Sequence, residues 1–345
     1  MAAELFPTID APSADARAQA TAHQNVLTKP AGSLGRLEQL GIWLSACQGV
    51  CPPKKITDPR IVVFAGDHGV AANGVSAYPT EVSLQMAANI RAGGAGINAI
   101  GSASGATVRV VDVSLDHDAE GPERVRRSCG SIDREDAMTT EEAIAAFKVG
   151  IAVADQEVDS GADLLIAGDL GIGNTTPAAA IIGSLCGAEP VKVVGRGTGI
   201  DDAAWQRKVA AVRDAMFRAR EKTSDPIAFA RTTASPDLAA MAGFLAQAAV
   251  RRTPVILDGV VVTSAALIAD LAAPGARDWW VAGHAGAEPA HAIALERLGL
   301  EPIVSLGLRL GEGSGAATAL PLVKLSANIL CDMATFSSAG VSEAH

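Results

Sequence analysis

The run Asp163-Leu164-Leu165-Ile166-Ala167-Gly168-Asp169-Leu170-Gly171-Ile172-Gly173-Asn174-Thr175-Thr176-Pro177 sets the fold class of the chain. Asp163 to Ile166 is an apolar run that reads as a buried strand. Gly168, Gly171 and Gly173 break it into a tight loop, and Asn174, Thr175 and Pro177 open a helix. Glycines let the backbone turn and approach a ligand closely, while the free N–H groups and positive dipole end of the following helix face an anion. The run therefore reads as a strand-loop-helix cradle for a phosphate. Its spacing is neither G-x-x-x-x-G-K-[ST] nor G-x-G-x-x-G, so P-loop and dinucleotide-fold chemistries lose support. The competing reading is an ordinary turn whose glycines serve geometry alone.

Working outward, the same strand-then-loop pattern repeats. Upstream, Arg60 to Ala65 is a strand ending in Gly66-Asp67-His68-Gly69-Val70, followed by a loop from Asn73 to Pro79 and a long helix to about Ile100. A strand from Thr107 to Asp112, a charged surface excursion from Ser114 to Met138 and a helix from Thr140 to about Val158 lead into the cradle. Downstream, Val191 to Val194 precede a second glycine turn, Gly195 to Asp202, which includes Gly197. Asp201 or Asp202 caps a helix carrying Lys208 nearly two turns in, where an ammonium can reach a bound phosphate. Val255-Ile256-Leu257-Asp258-Gly259 and Trp279 to His284 are again strand then loop, and a short helix from Ala287 to Leu298 holds Glu288 and His291. Leu306 to Gly315 then leads into an apolar helix from Ala316 to about Met333.

This order implies an α/β fold: an open parallel sheet with helices on both faces, Rossmann-like. Ligands in such sheets sit beyond the carboxyl ends of the strands, where Asp67 and His68 fall. The expected division is a large α/β domain, residues 58–310, with a smaller helical domain, residues 1–57 and 311–345, packed against it. In the first part, helical periodicity from Ser13 to Gln48 is interrupted at Thr28 to Glu38. There Pro30 and Gly32 break one helix and Ser33 is placed to cap the next. Lys29 and Arg36 flank that turn and could meet an acidic ligand, or simply face solvent.

Composition narrows the partners. Lys plus Arg total 28 against 38 Asp plus Glu, a net charge of −10, with no basic run and only seven Phe, four Trp and one Tyr. Nucleic acid and anionic membrane are not expected partners. The N-terminus lacks a basic-then-apolar leader, and the longest apolar segments, such as Gly259 to Ile268, read as too short to cross a bilayer. Five scattered cysteines without zinc spacing fit thiols in a reducing compartment, so the expected location is cytoplasmic. Abundant Ala and Gly suit helices that pack closely on a sheet.

Glu312 lies among Gly311, Gly313 and Gly315 at the start of an apolar helix, which places a carboxylate for exposure into a pocket. Partial burial would raise its pKa and suit it to proton abstraction, whereas the bland reading is a helix-start acid stabilised by the dipole.

Taken together, these segments resemble the nicotinate-nucleotide:dimethylbenzimidazole phosphoribosyltransferase family, which builds the lower ligand of cobalamin. The matching pieces are the Thr28–Glu38 turn, Ala65 to Val70, Gly74 to Pro79, Gly171 to Thr176, Gly195 to Asp202, Leu257-Asp258-Gly259, Glu288 to His291 and Gly311 to Gly315. They run in order over nearly the whole chain. The resemblance implies transfer of ribose 5-phosphate from nicotinate mononucleotide to a benzimidazole nitrogen, giving α-ribazole 5'-phosphate and nicotinate. It implies no cofactor and no metal, and it suggests a homodimer.

By that likeness Glu312 matches the general base. Gly171, Gly173, Asn174, Thr175, Thr176, Gly197 and Lys208 lie where the family holds the mononucleotide phosphate, and Tyr78 and Gln85 where it holds the benzimidazole. Relatives often carry Glu just before the Gly171–Thr176 motif; here the position is Asp169, a carboxylate one methylene shorter and the second catalytic candidate. Two other classes compete. A metal-dependent hydrolase of a phosphorylated small molecule would use Asp67, His68, His284, Glu288 and His291. A non-catalytic nucleotide-binding module would explain the glycine turns and leave Glu312 without a purpose.

Overall fold

The computed structural model describes residues 5–342, so the outermost residues of both terminal segments lie outside it. Two helices, α1 (Ala14–Val26) and α2 (Arg36–Gln48), precede the first strand, β1 (Pro59–Gly66). Helices α3 (Glu81–Arg91) and α4 (Gly96–Ser104) lead to β2 (Thr107–Ser114), and α5 (Thr140–Asp159) leads to β3 (Leu164–Leu170). Five helices follow: α6 (Thr175–Cys186), α7 (Pro190–Val193), α8 (Asp202–Ala219), α9 (Pro226–Thr233) and α10 (Pro236–Val250). Then β4 (Val255–Leu257), α11 (Val260–Ala272), β5 (Trp280–His284), α12 (Pro289–Leu298) and β6 (Pro302–Val304) alternate before α13 (Ser314–Asp332) and α14 (Phe336–Ala339).

The six strands form one sheet in the order β2-β1-β3-β4-β5-β6, and every adjacent pair is parallel. The chain runs outward from β1 to β2, then crosses back to β3 on the other side of β1. The crevice beyond β1 and β3 is the switch point at which ligands collect in open parallel sheets. All seven residues of β3 are buried, which requires cover on both faces and explains why its side chains read as a continuous apolar run. Helix α10 lies on β1, β2 and β3 with α5 and α11 beside it, while α13 lies on β4, β5 and β6 with α2 and α4 against it.

Small residues set the helix spacing. A Cβ at Gly150 of α5 would strike the Ala240 carbonyl, and one at Gly243 of α10 would strike that of Phe147. The two helices touch backbone to backbone, as an Ala- and Gly-rich composition allows. Helix α5 starts on a capping box: Thr139 Oγ1 accepts from the Glu142 amide (3.1 Å) and the Glu142 carboxylate accepts from the Thr139 amide (2.8 Å).

At the termini, α1, α2 and α13 pack together, and Leu27 bridges to Thr335. Leu40, Trp43, Leu44 and Cys47 of α2 join the same apolar core as the sheet.

Several local readings are corrected. The helix expected to reach Ile100 is two, α3 and α4, because the Gly93-Gly94 pair turns the chain between them, with Gly93 at φ 83°. Ser33 does not cap α2; the cap position is Gly35, and the side chain that serves the turn is Glu38, which accepts from the Leu34 amide at 3.0 Å. Lys29 is not free for a ligand, since it is buried and paired to Glu38 at 2.8 Å, and Arg36 bonds Gln39 and the Glu301 carbonyl. One helix among the described residues, α13, is long and apolar enough to cross a membrane, contrary to the sequence reading. It carries Pro321 and Lys324 and is packed against the sheet. The strand entering the cradle also runs further than Ile166, to Leu170, so Gly168 and Asp169 belong to the sheet.

Candidate active site

Three acidic residues mark the carboxyl ends of the central strands: Asp67 after β1, Asp169 near the end of β3 and Asp258 after β4. The turn Gly311-Glu312-Gly313, which leads into α13, lies across β3. A Cβ at Gly168 would collide with the Glu312 carbonyl and the Gly313 amide, so the close approach of this turn is the reason position 168 is glycine. Gly311, Glu312 and Gly313 all have positive φ (84°, 62° and 86°). For a glutamate the left-handed region is uncommon and costs on the order of 1 kcal/mol, so the surrounding contacts must hold it there. The Glu312 amide bonds the Asp169 carbonyl at 3.1 Å, and the Gly313 and Ala316 amides bond the two oxygens of Asp258 at 3.1 and 2.9 Å.

Glu312 is deeper than the sequence suggested, at 4 % exposure. Its Oε2 accepts from the Ile97 amide at the head of α4, 3.2 Å away. Burial raises its pKa above the usual carboxylate range; the Ile97 bond opposes this and Asp258 adds to it. Asp169 is pushed up to about 8, first by burial and then by the neighbouring Asp258, with Asn174 opposing and Asp237 and Glu312 adding. In the unliganded protein at neutral pH Asp169 is therefore largely protonated.

The strand-loop-helix turn forms where the sequence placed it. Ser83 Oγ of α3 accepts from the Ile172 amide at 2.9 Å, and Asn174 and Thr176 turn back onto the carbonyls of Gly171 and Gly173. The amides of Gly173 and Thr175 are left without a backbone partner among the described residues. A Cβ at Gly171 would strike the Gly66 carbonyl and the His68 ring, and Gly173 has φ 90° with Ala71 beneath it. Lys208 of α8 reaches in from 33 residues away, its Nζ donating to Thr175 Oγ1 at 2.6 Å. The second glycine turn closes over this pair, with Gly197 held by Glu288 Oε1 on its amide (3.0 Å) and by Arg309 on its carbonyl (2.6 Å). Lys208 is only 1 % exposed, and burial lowers its pKa to about 8 against the opposing charge of Glu288.

Asp169 joins the cradle to the buried glutamate. Asn174 Nδ2 donates to its carboxyl at 2.7 Å from the cradle side, while its carbonyl takes the Glu312 amide from the other. The structure thus brings Gly171, Gly173, Asn174, Thr175, Gly197, Lys208, Asp169 and Glu312 into one connected cluster. Thr176 is fully buried, its hydroxyl unpartnered among the described residues. Tyr78 and Gln85 are exposed; the loop of Tyr78 is tied to the second turn by the Ala77 amide on Thr198 Oγ1 (3.0 Å), and Gln85 lies on α3.

The residues of the metal reading do not converge. His68 stands 3.6 Å from Asp237 and His284 stands 3.5 Å from Asp258, with the His291 ring beside it. Glu288 is spent on the Gly197 turn. Among the described residues no group of three or more His, Cys, Asp or Glu side chains is arranged to hold a metal ion. Sequence reasoning missed the roles of Asp258, Ser83, Arg309 and Asp237. Only Asp258 carried a signal, an acid immediately after an apolar strand.

Comparison with known proteins identifies the family. The family model described as phosphoribosyltransferase, DBI_PRT, matches residues 9–341. Proteins named nicotinate-nucleotide–dimethylbenzimidazole phosphoribosyltransferase are similar over nearly full length. That of Corynebacterium efficiens is 66 % identical over 342 residues, covering 99 % of this chain and 93 % of the relative. That of Mycobacterium avium is 58 % identical over 342 residues, covering 98 % of each. The crystal structure of CobT from Thermus thermophilus superposes with a TM-score of 0.92 at 43 % identity, over 96 % of this chain and 100 % of that one. On these matches and this fold, the chain belongs to the nicotinate-nucleotide–dimethylbenzimidazole phosphoribosyltransferase family.

Proposed function

We propose that the chain transfers the ribose 5-phosphate of nicotinate mononucleotide to 5,6-dimethylbenzimidazole, yielding α-ribazole 5'-phosphate and nicotinate. The observation that carries this reading is the coupling, through Asp169, of an anion cradle to a buried glutamate. The phosphate sits against the amides of Gly173 and Thr175, the Thr175 hydroxyl and the Lys208 ammonium, which fixes the ribose with its anomeric carbon toward Glu312. One azole nitrogen attacks that carbon as the bond to the pyridinium nitrogen breaks, and the electron pair returns to the nicotinate ring. The leaving ring is already cationic and needs no acid. The neutral azole becomes cationic on attack and gives the proton of its other nitrogen to the Glu312 carboxylate. A raised pKa keeps this acceptor basic enough to matter. Asp169, protonated near neutrality, serves as a hydrogen-bonding link and not as the base.

Tyr78 and Gln85, both exposed, are assigned to the benzimidazole. A homodimer in the cytoplasm and a division into residues 58–310 and a helical unit of 1–57 with 311–345 belong to the same proposal. Incubation with nicotinate mononucleotide and dimethylbenzimidazole, followed by chromatography for nicotinate and the new nucleotide, tests it. No release of nicotinate with any azole or phenol acceptor would refute it in favour of a binding module.

A further inference from the structure

Asp258 is 1 % exposed, sits at the carboxyl end of β4 and makes its side-chain hydrogen bonds away from the cradle. Its two oxygens are used by the Gly313 and Ala316 amides, which follow Glu312 on its C-terminal side. On the N-terminal side the Glu312 amide bonds the Asp169 carbonyl, and the Gly311 carbonyl accepts from the Ser314 amide. Below, His284 Nε2 stands 3.5 Å from Asp258 Oδ1, and the imidazole lies so close under Gly315 that any Cβ there would enter the ring. A Cβ at Gly283 would strike the Ala316 Cα at 2.6 Å. The ends of β4 and β5 are therefore fitted against the first turn of α13, and through it against a glutamate held in a backbone conformation it does not favour.

We infer that Asp258, supported by His284, is the positioning residue of the general base: its carboxylate locks the left-handed turn that aims Glu312, and its charge tunes that glutamate. The inference rests on the assignment of Glu312 as the base. Three features of the contacts favour a working part over a packing detail. The carboxylate holds two amides directly beyond the one strained residue. It stands among the groups that raise the pKa of both Glu312 and Asp169. Burial raises the pKa of Asp258, and the imidazole that faces it is the largest of the contacts that oppose this and favour its ionised form. The other titratable groups around this cluster are Asp169 from β3, Asp237 from the head of α10 with His68 against it, and His291 of α12 beside His284; α4 presents only its Ile97 amide.

The test compares Asp258→Asn, His284→Gln and Glu312→Gln with the wild-type protein by thermal melting, steady-state kinetics and the pH profile of kcat/KM. Asp258→Asn keeps the size but can accept from only one of the two amides. The expected result is a folded protein whose nucleotide KM stays within about twofold while kcat falls at least tenfold. Losing a like charge lowers the pKa of Glu312, so the acid limb of the profile moves to lower pH. His284→Gln leaves the amide bonds in place and moves the limb in the same direction by less, since Asp258 is then less ionised. A purely structural pair would lower the melting temperature and leave the limb where it is. The inference is overturned if the limb is unmoved in both folded variants, if KM rises as much as kcat falls, or if neither variant folds. Glu312→Gln separates the two levels: an active Glu312→Gln removes the base assignment itself, whereas an inactive one beside a wild-type-like Asp258→Asn removes only the role of Asp258.

Discussion

Replacing Lys208 by Met should make the unliganded protein more stable and its nucleotide binding weaker. The methionine keeps the apolar stem that fills the space under the second glycine turn and removes only the ammonium. Lys208 is 1 % exposed, and its pKa is lowered to about 8. At about 1.4 kcal/mol for each tenfold change in proton affinity, keeping that ammonium charged inside the protein costs on the order of 3 kcal/mol at pH 7. Thr175 Oγ1 loses its donor in the variant, which returns about 1 kcal/mol. With an unfolding entropy of about 2.1 cal/mol/K per residue, the net gain corresponds to a melting temperature higher by about 2 to 4 °C.

The gain depends on pH. The folded-state pKa lies below the unfolded one, so the cost is complete below about pH 8. It fades as the native lysine, then the unfolded one, loses its proton, and the advantage of the variant should vanish by about pH 10.5. Nucleotide binding moves the other way. A charge-assisted bond to phosphate contributes roughly 1.5 to 3 kcal/mol, so KM for nicotinate mononucleotide should rise about ten- to a hundredfold. Differential scanning fluorimetry at pH 7 and pH 10 and initial-rate kinetics measure both effects. A variant that melts no higher than wild type and binds the nucleotide normally would show that Lys208 is neither a destabilised cation nor a phosphate ligand.

Other outcomes follow from the same crevice. Glu312→Gln should leave nucleotide KM nearly unchanged and lower kcat by about 10² to 10⁴, with the deficit shrinking for azoles or phenols whose proton is more acidic; an equal loss for every acceptor would place the base elsewhere. Gly173→Val should abolish nucleotide binding in a folded protein, because φ 90° is strained for a β-branched residue and its side chain would press on Ala71; normal titration calorimetry would reduce the loop to a turn. Gly168→Ala should displace the Glu312 turn, costing about 1 to 3 kcal/mol of stability and lowering kcat more than it raises KM; a fully active variant would show that the turn tolerates movement.

Much of the fold was legible because burial on both faces forces apolar runs onto parallel strands, and β1, β3, β4 and β5 all carry them. Strand β6 was not, since Pro302 to Val304 is only half-buried at the sheet edge and too short for a pattern. The break between α3 and α4 lay in a Gly-Gly pair inside an otherwise continuous helical periodicity. The proposed phosphate side of the site could be read locally, from glycines at a strand-to-helix turn and a lysine early in the helix that reaches it. Lys29 had the same composition and a different fate, because Glu38, nine residues on, takes its charge in a buried pair. The roles of Asp258 and Ser83 depend on contacts spanning 55 to 89 residues, which no local spacing encodes.

The aspartate at position 169 acquires a physical meaning from its neighbours. Its carboxyl is reached by Asn174 from the cradle, and its oxygens already stand 2.9 and 3.1 Å from the position a Cβ on Gly311 would take. A longer side chain would have to press on Gly311 or turn toward the open crevice, so the shorter acid fits beneath the turn without displacing it. Asp169, Asp258 and Glu312 share one buried region, and three full negative charges there would repel one another at several ångströms with little water between them. Burial first, and then the neighbouring Asp258, push Asp169 up to about 8, so near neutrality the acid that links the two halves of the site keeps its proton. On the proposed reading Glu312 is then the carboxylate that receives the azole proton, and the division of labour between the two acids is a property of their packing.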